Sequence, residues 1–195
     1  MIVMQNKSIK PKAGRKQITH DRIVEVAARA IRRSGYAGTG VADIMKEAGL
    51  THGGFYAHFP SREALLAEAA DLAGAEAVAL SAAIAAAAPP DQALAALAQA
   101  YLSPAHVAAI ETGCPIAALG SEMPRQAPEV RRAATRRIKE MIDVVNRQQA
   151  DWGQPGAHET ALRNVATLVG TLILARAVDD PLLSEGFLRA ALPGG

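Results

Sequence analysis

The sequence predicts an all-α protein, and three observations carry that prediction. Apolar residues recur at helical spacing along most of the chain, and no stretch alternates with the period of two that a half-buried strand needs. Aromatic residues make up only 4% of the chain while alanine is used heavily, so packing must run through Ala, Leu, Val and Ile, which favours closely spaced helices. Glycine, proline and Ser or Thr fall where helices should start and stop. With 50% hydrophobic and 21% charged residues, the chain has the balance of a globular protein able to bury a core. No repeat of fixed period is visible.

Each element has its own signal. Met1–Gln17 reads as a disordered basic arm. Thr19 is placed to cap a first helix whose face carries Ile23, Ala27, Ala30 and Ile31, and Gly35 closes it. Thr39 or Gly40 opens a short second helix with Val41, Ile44, Met45 and Ala48 on one side, and Gly49 supplies the turn. Thr51 caps a third helix that must end near Phe59, because Pro60 disfavours helical geometry in the residue before it. Ser61 caps a long helix with Leu65, Ala69, Leu72 and Leu80 on a stripe, broken at Pro89 and Pro90. Further helices are expected over Asp91–Leu102, Pro104–Glu111, Gly113–Met123, Glu129–Asp151, His158–Val178 and Leu182–Leu192.

Charge is unevenly placed. Residues 1–62 carry 11 Lys and Arg against 4 Asp and Glu, a surplus of +7, whereas residues 63–195 carry 10 against 15, a deficit of −5. A basic end on an acidic body is suited to a polyanion, although a solvated tail would look the same from charge alone. The segment Val41–Phe59 narrows the choice. Helix, glycine turn, helix is the helix-turn-helix spacing, in which the second helix enters the major groove while the first braces it. A helix N-terminus presents free N–H groups to phosphate. His52, Gly53 and Gly54 keep the groove side small, Tyr56 follows His52 by one turn and can donate its hydroxyl, and Phe55 points inward.

The run Thr19–Leu66, and above all Gly49-Leu-Thr-His-Gly-Gly-Phe-Tyr-Ala-His-Phe-Pro-Ser-Arg-Glu-Ala-Leu-Leu66, resembles the DNA-binding domain of TetR-family transcriptional regulators. The resemblance implies three parts: the arm over 1–17, a three-helix DNA-binding domain over 18–62, and a helical effector-binding and dimerisation domain over 63–195. It implies DNA contacts at Thr39, Gly40, Thr51, His52, Gly53, Gly54, Tyr56, His58 and Arg62. Three positions depart from the family pattern. Ala42 and Gly54 stand where longer polar side chains are frequent, and Gly40 where Ser or Thr is common. Fewer direct base contacts are therefore expected, with more reliance on backbone contacts, DNA shape, or the arm in a minor groove.

Beyond residue 66 the resemblance weakens, save for Thr112–Met123, where a Gly-Cys pair opens a helix as in part of the family. Tyr101, Cys114, Met123, Met141 and Trp152 are the candidate effector-pocket residues. Cys114 also admits a thiol-sensing reading, because a helix N-terminus favours thiolate. His106 and His158 are expected as surface or capping residues, and Arg131, Arg132, Arg136 and Arg137 as a solvated face. The helix His158–Val178 is apolar nearly all round, so its second side should meet another subunit. Leu162, Val165, Val169, Leu172 and Ile173 are the expected interface, and a two-fold dimer would set its reading helices about 34 Å or more apart on a pseudo-palindromic operator.

The sequence therefore predicts a homodimeric regulator of transcription, a repressor released from operator DNA by a small molecule. The alternatives are an architectural DNA-binding protein without effector and a thiol sensor using Cys114. Catalysis, metal sites and cofactors are not expected: the single cysteine allows no disulfide framework or Cys cluster, and no phosphate loop or acid pair appears. Export and membrane spanning are not expected either, since Met1–Gln17 has no apolar h-region and the longest uncharged apolar runs are Ala77–Ala88 and Asn164–Ala175. A cytoplasmic protein is the corresponding expectation.

Overall fold

The computed structural model describes residues 14–192, and every regular element among them is helical. The chain runs α1 (Arg15–Ser34), α2 (Val41–Glu47), a short 3-10 helix (His52–Ala57), α3 (Arg62–Ala87), α4 (Ala93–Tyr101), α5 (Pro104–Ala108), α6 (Pro115–Leu119), a 3-10 turn (Met123–Arg125), α7 (Pro128–Asn146), α8 (Ala157–Ala177) and α9 (Pro181–Ala190).

Several starts and stops differ from expectation: α4 begins at Ala93, α5 ends at Ala108, and the helix expected over Gly113–Met123 is cut to Pro115–Leu119, while two further differences have identifiable reasons. Residues 1–13 of the expected arm lie outside the described residues, but Arg15–Gln17 form the first turn of α1. Thr19 does not cap the helix: its hydroxyl donates to the Arg15 carbonyl at 3.0 Å, within the helix, and extended Gly14 takes the cap position. At the other end of the chain, α7 stops at Asn146 instead of reaching Asp151. The buried Gln149 amide donates to Asn146 Oδ1 at 3.0 Å and to the Ala157 carbonyl at 2.9 Å, and so ties the end of α7 to the start of α8.

The first three elements close a small core with the start of α3. Ile23, Ile31, Ile44, Met45, Phe55, Phe59 and Leu65 are all 0–1% exposed. Ser61 caps α3 as expected, accepting from the Ala64 N–H at 3.0 Å. The core does not end where α3 begins. It continues along Leu66, Ala69 and Ala73 and takes in Leu119 and Val130 from α6 and α7. With 26 residues, about 39 Å of helix, α3 thus belongs to the N-terminal unit at one end and to the body at the other.

The body packs against α3 mainly through α7. Gly74 allows the close approach: a Cβ there would sit 2.5 Å from Arg137 Cβ. One turn earlier, Asp71 accepts from Arg137 through both carboxylate oxygens, at 2.7 and 2.6 Å, and also from Arg136. Arg136 and Arg137 are therefore structural partners of α3 and not members of a purely solvated face. The same pairing bears on α3's hydropathy. By length and composition alone α3 could cross a membrane, which the run lengths in the sequence did not predict. Here it is the central helix, packed against α1, α4 and α7.

Replacing Gly74 by Ala should force α3 and α7 apart and lower stability by about 1–3 kcal/mol. An unchanged thermal midpoint for Gly74→Ala would show that the two helices do not need this contact.

Candidate nucleic-acid interface and interior cavity

The turn between α2 and the 3-10 helix is built by backbone hydrogen bonds around one glycine. Gly49 takes φ +71°, its N–H donates to the Lys46 carbonyl at 3.0 Å, and the Leu50 N–H donates to Met45 at 2.8 Å. This is a Schellman closure, and it needs a residue without Cβ strain at that position. Phe55 and Phe59 then anchor the following segment, each 1% exposed and stacked with centroids 5.6 Å apart. Their burial turns Thr51, His52, Gly53, Tyr56 and Ala57 outward. Tyr56 is 71% exposed.

The reading segment is wound as a 3-10 helix, not as the α-helix the spacing predicts. The Gly54 N–H reaches Thr51 at 3.1 Å and the His58 N–H reaches Phe55 at 2.9 Å. In this tighter winding residues three apart are eclipsed, so Tyr56 stands in line with Gly53 rather than with His52. Nothing among the described residues accounts for Gly53: its φ is not positive, and none of their atoms lies within 4 Å of where a Cβ would be. Gly54 is only in ordinary contact with Met45 and Thr51.

Other expected DNA residues take different places. Thr39 is 3% exposed and spends its hydroxyl on the Gly35 carbonyl at 2.6 Å, so its side chain is withdrawn from the surface. Gly40 is the extended cap of α2. Arg62 turns back and donates to the Tyr36 and Thr39 carbonyls, which makes it a clasp on the α1–α2 loop. His58 is half-buried near His20 and Phe59, with Nδ1 lacking a hydrogen-bond partner. Burial, then the nearby His20 and Lys16, holds its pKa below the usual imidazole value, which favours the neutral ring. Exposed Lys46, on the last turn of α2, is a cation that the spacing argument passed over.

The body holds a cavity of about 580 Å³. Its walls come from α3 (Glu76, Leu80, Ile84), α4 (Leu97, Tyr101), α7 (Met141, Val145) and α8 (Val165, Leu168, Val169), and its floor from α1 through Arg29 and Arg32. Leu80, 61% exposed, stands at the opening. Of the expected pocket residues, Tyr101, Cys114 and Met141 line it. Met123 packs against the N-terminal core instead, and Trp152 is 59% exposed in the α7–α8 connection. The expected interface residues also divide. Leu162 and Ile173 are exposed, at 42% and 41%, as are Leu174 on the same helix and Leu182 and Leu183 on α9. Leu172 is fully buried against Leu102 and Cys114, and Val165 and Val169 turn to the cavity.

Arg32 is the residue that sequence reasoning missed most clearly. Only 4% exposed, it donates Nε to the Ala28 carbonyl at 3.0 Å, Nη1 to the Gly113 carbonyl at 3.4 Å, and Nη2 to Glu76 at 2.9 Å. It therefore joins α1 to α3 and to the cavity wall beside Cys114. Glu122 makes a second tie, accepting from the Tyr36 N–H at 2.9 Å. A basic residue at the end of an amphipathic helix reads as solvated, so no local signal marked Arg32.

Of the two histidines expected as surface or capping residues, His158 is exposed, and half-buried His106 caps, holding the last carbonyl of α4 and the N–H that precedes α6. The Cys114 N–H donates to His106 Nε2 at 3.0 Å, which fixes Nδ1 as the protonated nitrogen, donating to the Tyr101 carbonyl at 2.6 Å. Burial lowers its pKa, and the Arg176 guanidinium lowers it further, against the raising effect of the Tyr101 carbonyl. The unfolded chain therefore binds this proton more readily than the folded one. The stabilisation is full above an unfolded pKa of about 6.5 and is lost as pH falls below it. His106→Gln should flatten the decline of thermal midpoint with acidification over that range; an equally steep decline would exclude His106 as a contributor.

The geometry can now be set beside known proteins. A model of bacterial regulatory proteins of the tetR family matches residues 23–69, the three-helix unit and the start of α3. An HTH-type transcriptional regulator of Mycobacterium tuberculosis is 34% identical over 168 residues, covering 82% of this chain and 85% of the relative. The solved structure of a TetR-family regulator from Agrobacterium tumefaciens is 25% identical with a TM-score of 0.73, covering 90% of this chain and 96% of that one. One from Chloroflexus aurantiacus is 28% identical with a TM-score of 0.73, covering 90% and 93%. The exposed reading segment, the three-helix unit beneath it and a relative matched across most of its length agree: this chain is a DNA-binding transcriptional regulator and belongs to the TetR family.

Proposed function

We propose that this regulator is a homodimeric repressor, released from a pseudo-palindromic operator when a small molecule occupies the cavity between α3, α4, α7 and α8. The observation that carries the reading is Arg32. Its guanidinium belongs to α1 of the DNA-binding unit, lines the cavity floor, and is held by Glu76 and the Gly113 carbonyl on the cavity wall. A molecule that displaces Glu76 or the Gly113 loop must also shift α1 or leave a buried cation underpaired, which is unfavourable. Ligand and DNA thus compete for one conformational equilibrium, and each weakens the other by the same factor.

A dimer is supported by the row of exposed apolar residues on α8 and α9, Leu162, Ile173, Leu174, Leu182 and Leu183. The cavity favours this reading over an architectural role, which needs no interior space. Cys114 favours a second reading, because its thiol, buried at 3% exposure, lines the same cavity. An electrophile would then act as an effector that also bonds covalently.

The reading is tested by selecting operator DNA from a random pool and following its release by small molecules in fluorescence anisotropy. A chain that never releases its operator, across a broad chemical library, sinks it. Arg32→Met should leave a folded protein whose DNA affinity no longer responds to effector; full responsiveness would remove Arg32 from the coupling. Cys114→Ser should keep inducibility by non-electrophiles and lose it only toward electrophiles, if the thiol reading holds.

Gly53→Ala should separate folding from function. It adds a methyl to open space in a helical segment and should raise stability by up to about 0.5–1 kcal/mol, while weakening operator binding because the backbone can no longer approach the groove. Unchanged affinity in this variant would refute close backbone approach at Gly53.

A further inference from the structure

The chemistry of the cavity walls narrows what can fill it, granted that the cavity is the effector site. We propose that it takes an elongated amphipathic organic anion: a hydrocarbon body carrying a single carboxylate, its head held by the Arg29 guanidinium and the Tyr101 phenol, its tail laid along α3 toward Ile84.

Three features support this occupant. The first is a gradient of polarity. Lining residues at the α1 end are Arg29, Arg32 and Glu76, whereas the far end is Ile84, Leu97 and Val145. From Glu76 to Ile84 the cavity follows α3 for about 12 Å at the helical rise, so its long axis separates a charged pole from a hydrocarbon one. A volume of about 580 Å³ lies within the range of small-molecule pockets.

The second is an orphaned donor. The Tyr101 hydroxyl is buried and has no hydrogen-bond partner, with the Cys114 thiol beside it. Burial pushes the phenol well above its ordinary pKa, so the group stays an O–H and can donate. A buried hydroxyl without a partner is unfavourable, and a ligand oxygen would satisfy it. Tyr101 and the charged pole are neighbours along the wall: Cys114 follows Gly113, whose carbonyl accepts from Arg32.

The third is the balance of charge. Arg32 and Glu76 cancel at 2.9 Å. His106 lends Nε2 to the Cys114 N–H and its pKa is lowered, so it is neutral. Arg176, near Tyr101 but not among the lining residues, spends its guanidinium on the His106, Val107 and Ala109 carbonyls, so the unpaired lining cation is half-buried Arg29, which has no acidic partner among the described residues. A cation placed here meets a surplus positive charge, while a neutral alcohol satisfies Tyr101 and leaves Arg29 unpaired. A carboxylate answers both.

The test is calorimetric titration of the full chain with decanoate, decanol and decylamine, which share a tail and differ in head. Decanoate should bind once per chain, at least about tenfold more tightly than decanol, with decylamine weakest. Tyr101→Phe should weaken decanoate and decanol alike by about two- to tenfold. Arg29→Met should abolish the preference for decanoate over decanol while leaving decanol affinity unchanged. Circular dichroism and thermal midpoints establish that both variants are folded. Absence of binding by decanoate, equal affinity for the three heads, or an undiminished preference in Arg29→Met would each overturn the proposal. Because binding is read without DNA, a chain that binds decanoate in this order yet keeps its operator overturns the effector reading alone.

Discussion

A guanidinium cut off from water holds this molecule's two halves in register. Arg32 sits in the last turn of α1, with carbonyls from its own helix and from the Gly113 loop, and with Glu76 on α3, as its only relief from burial. A charge so placed is stabilising only while its partners stay put, and removing one of them is more harmful than never having had the charge. The arrangement makes poor sense as plain stabilisation, since an apolar residue would fill the same space. It makes sense as a constraint on geometry: α1 cannot move without α3 and the loop answering. Glu122, on the Tyr36 N–H, repeats the constraint a few ångströms along the chain.

The DNA-facing end shows the same economy of parts. The reading segment is short, tightly wound and poor in side chains, so its shape is set from beneath by Phe55 and Phe59 and from behind by the Gly49 turn. What it offers outward is backbone at Gly53, the side chains of Thr51 and His52, and one large hydroxyl-bearing ring at Tyr56. Arg62, expected at a phosphate, is engaged in holding the α1–α2 loop instead.

How much of this was legible in the sequence differs between the halves. Ser61, Gly35, Gly49 and Pro60 act locally, so the helices of the DNA-binding unit and the inward turn of Phe55 follow from spacing and cap chemistry. Apolar periodicity likewise announced α7 and α8, whereas α5 and α6 were marked by proline and glycine and prove shorter than expected. Periodicity could not announce which apolar residues face a void. Leu172 and Val169 lie a few residues apart on one helix, yet one is sealed in a core and the other borders the cavity, a distinction made by α4 and α6 and not by α8 itself. Met123 and Trp152 misled for the same reason. The ion pair at the cavity floor, Arg32 and Glu76, was hidden because its members lie far apart in sequence: Glu76 is 44 positions from Arg32, and Gly113, whose carbonyl also accepts from Arg32, is 81.

The placement of the cores has a consequence for how such a protein can change. The large core closes by Ala73 on α3, and beyond it the body rests on two small clusters, around Ala85 and Leu97 on one side and Leu102, Cys114 and Leu172 on the other, with the cavity between them. Exchanges of Leu80, Ile84, Val145 or Leu168 therefore remodel the hollow without reaching the packing that sets the reading head. The interior space and the three-helix unit can thus be altered separately, save where α1 itself lines that space, at Arg29 and Arg32.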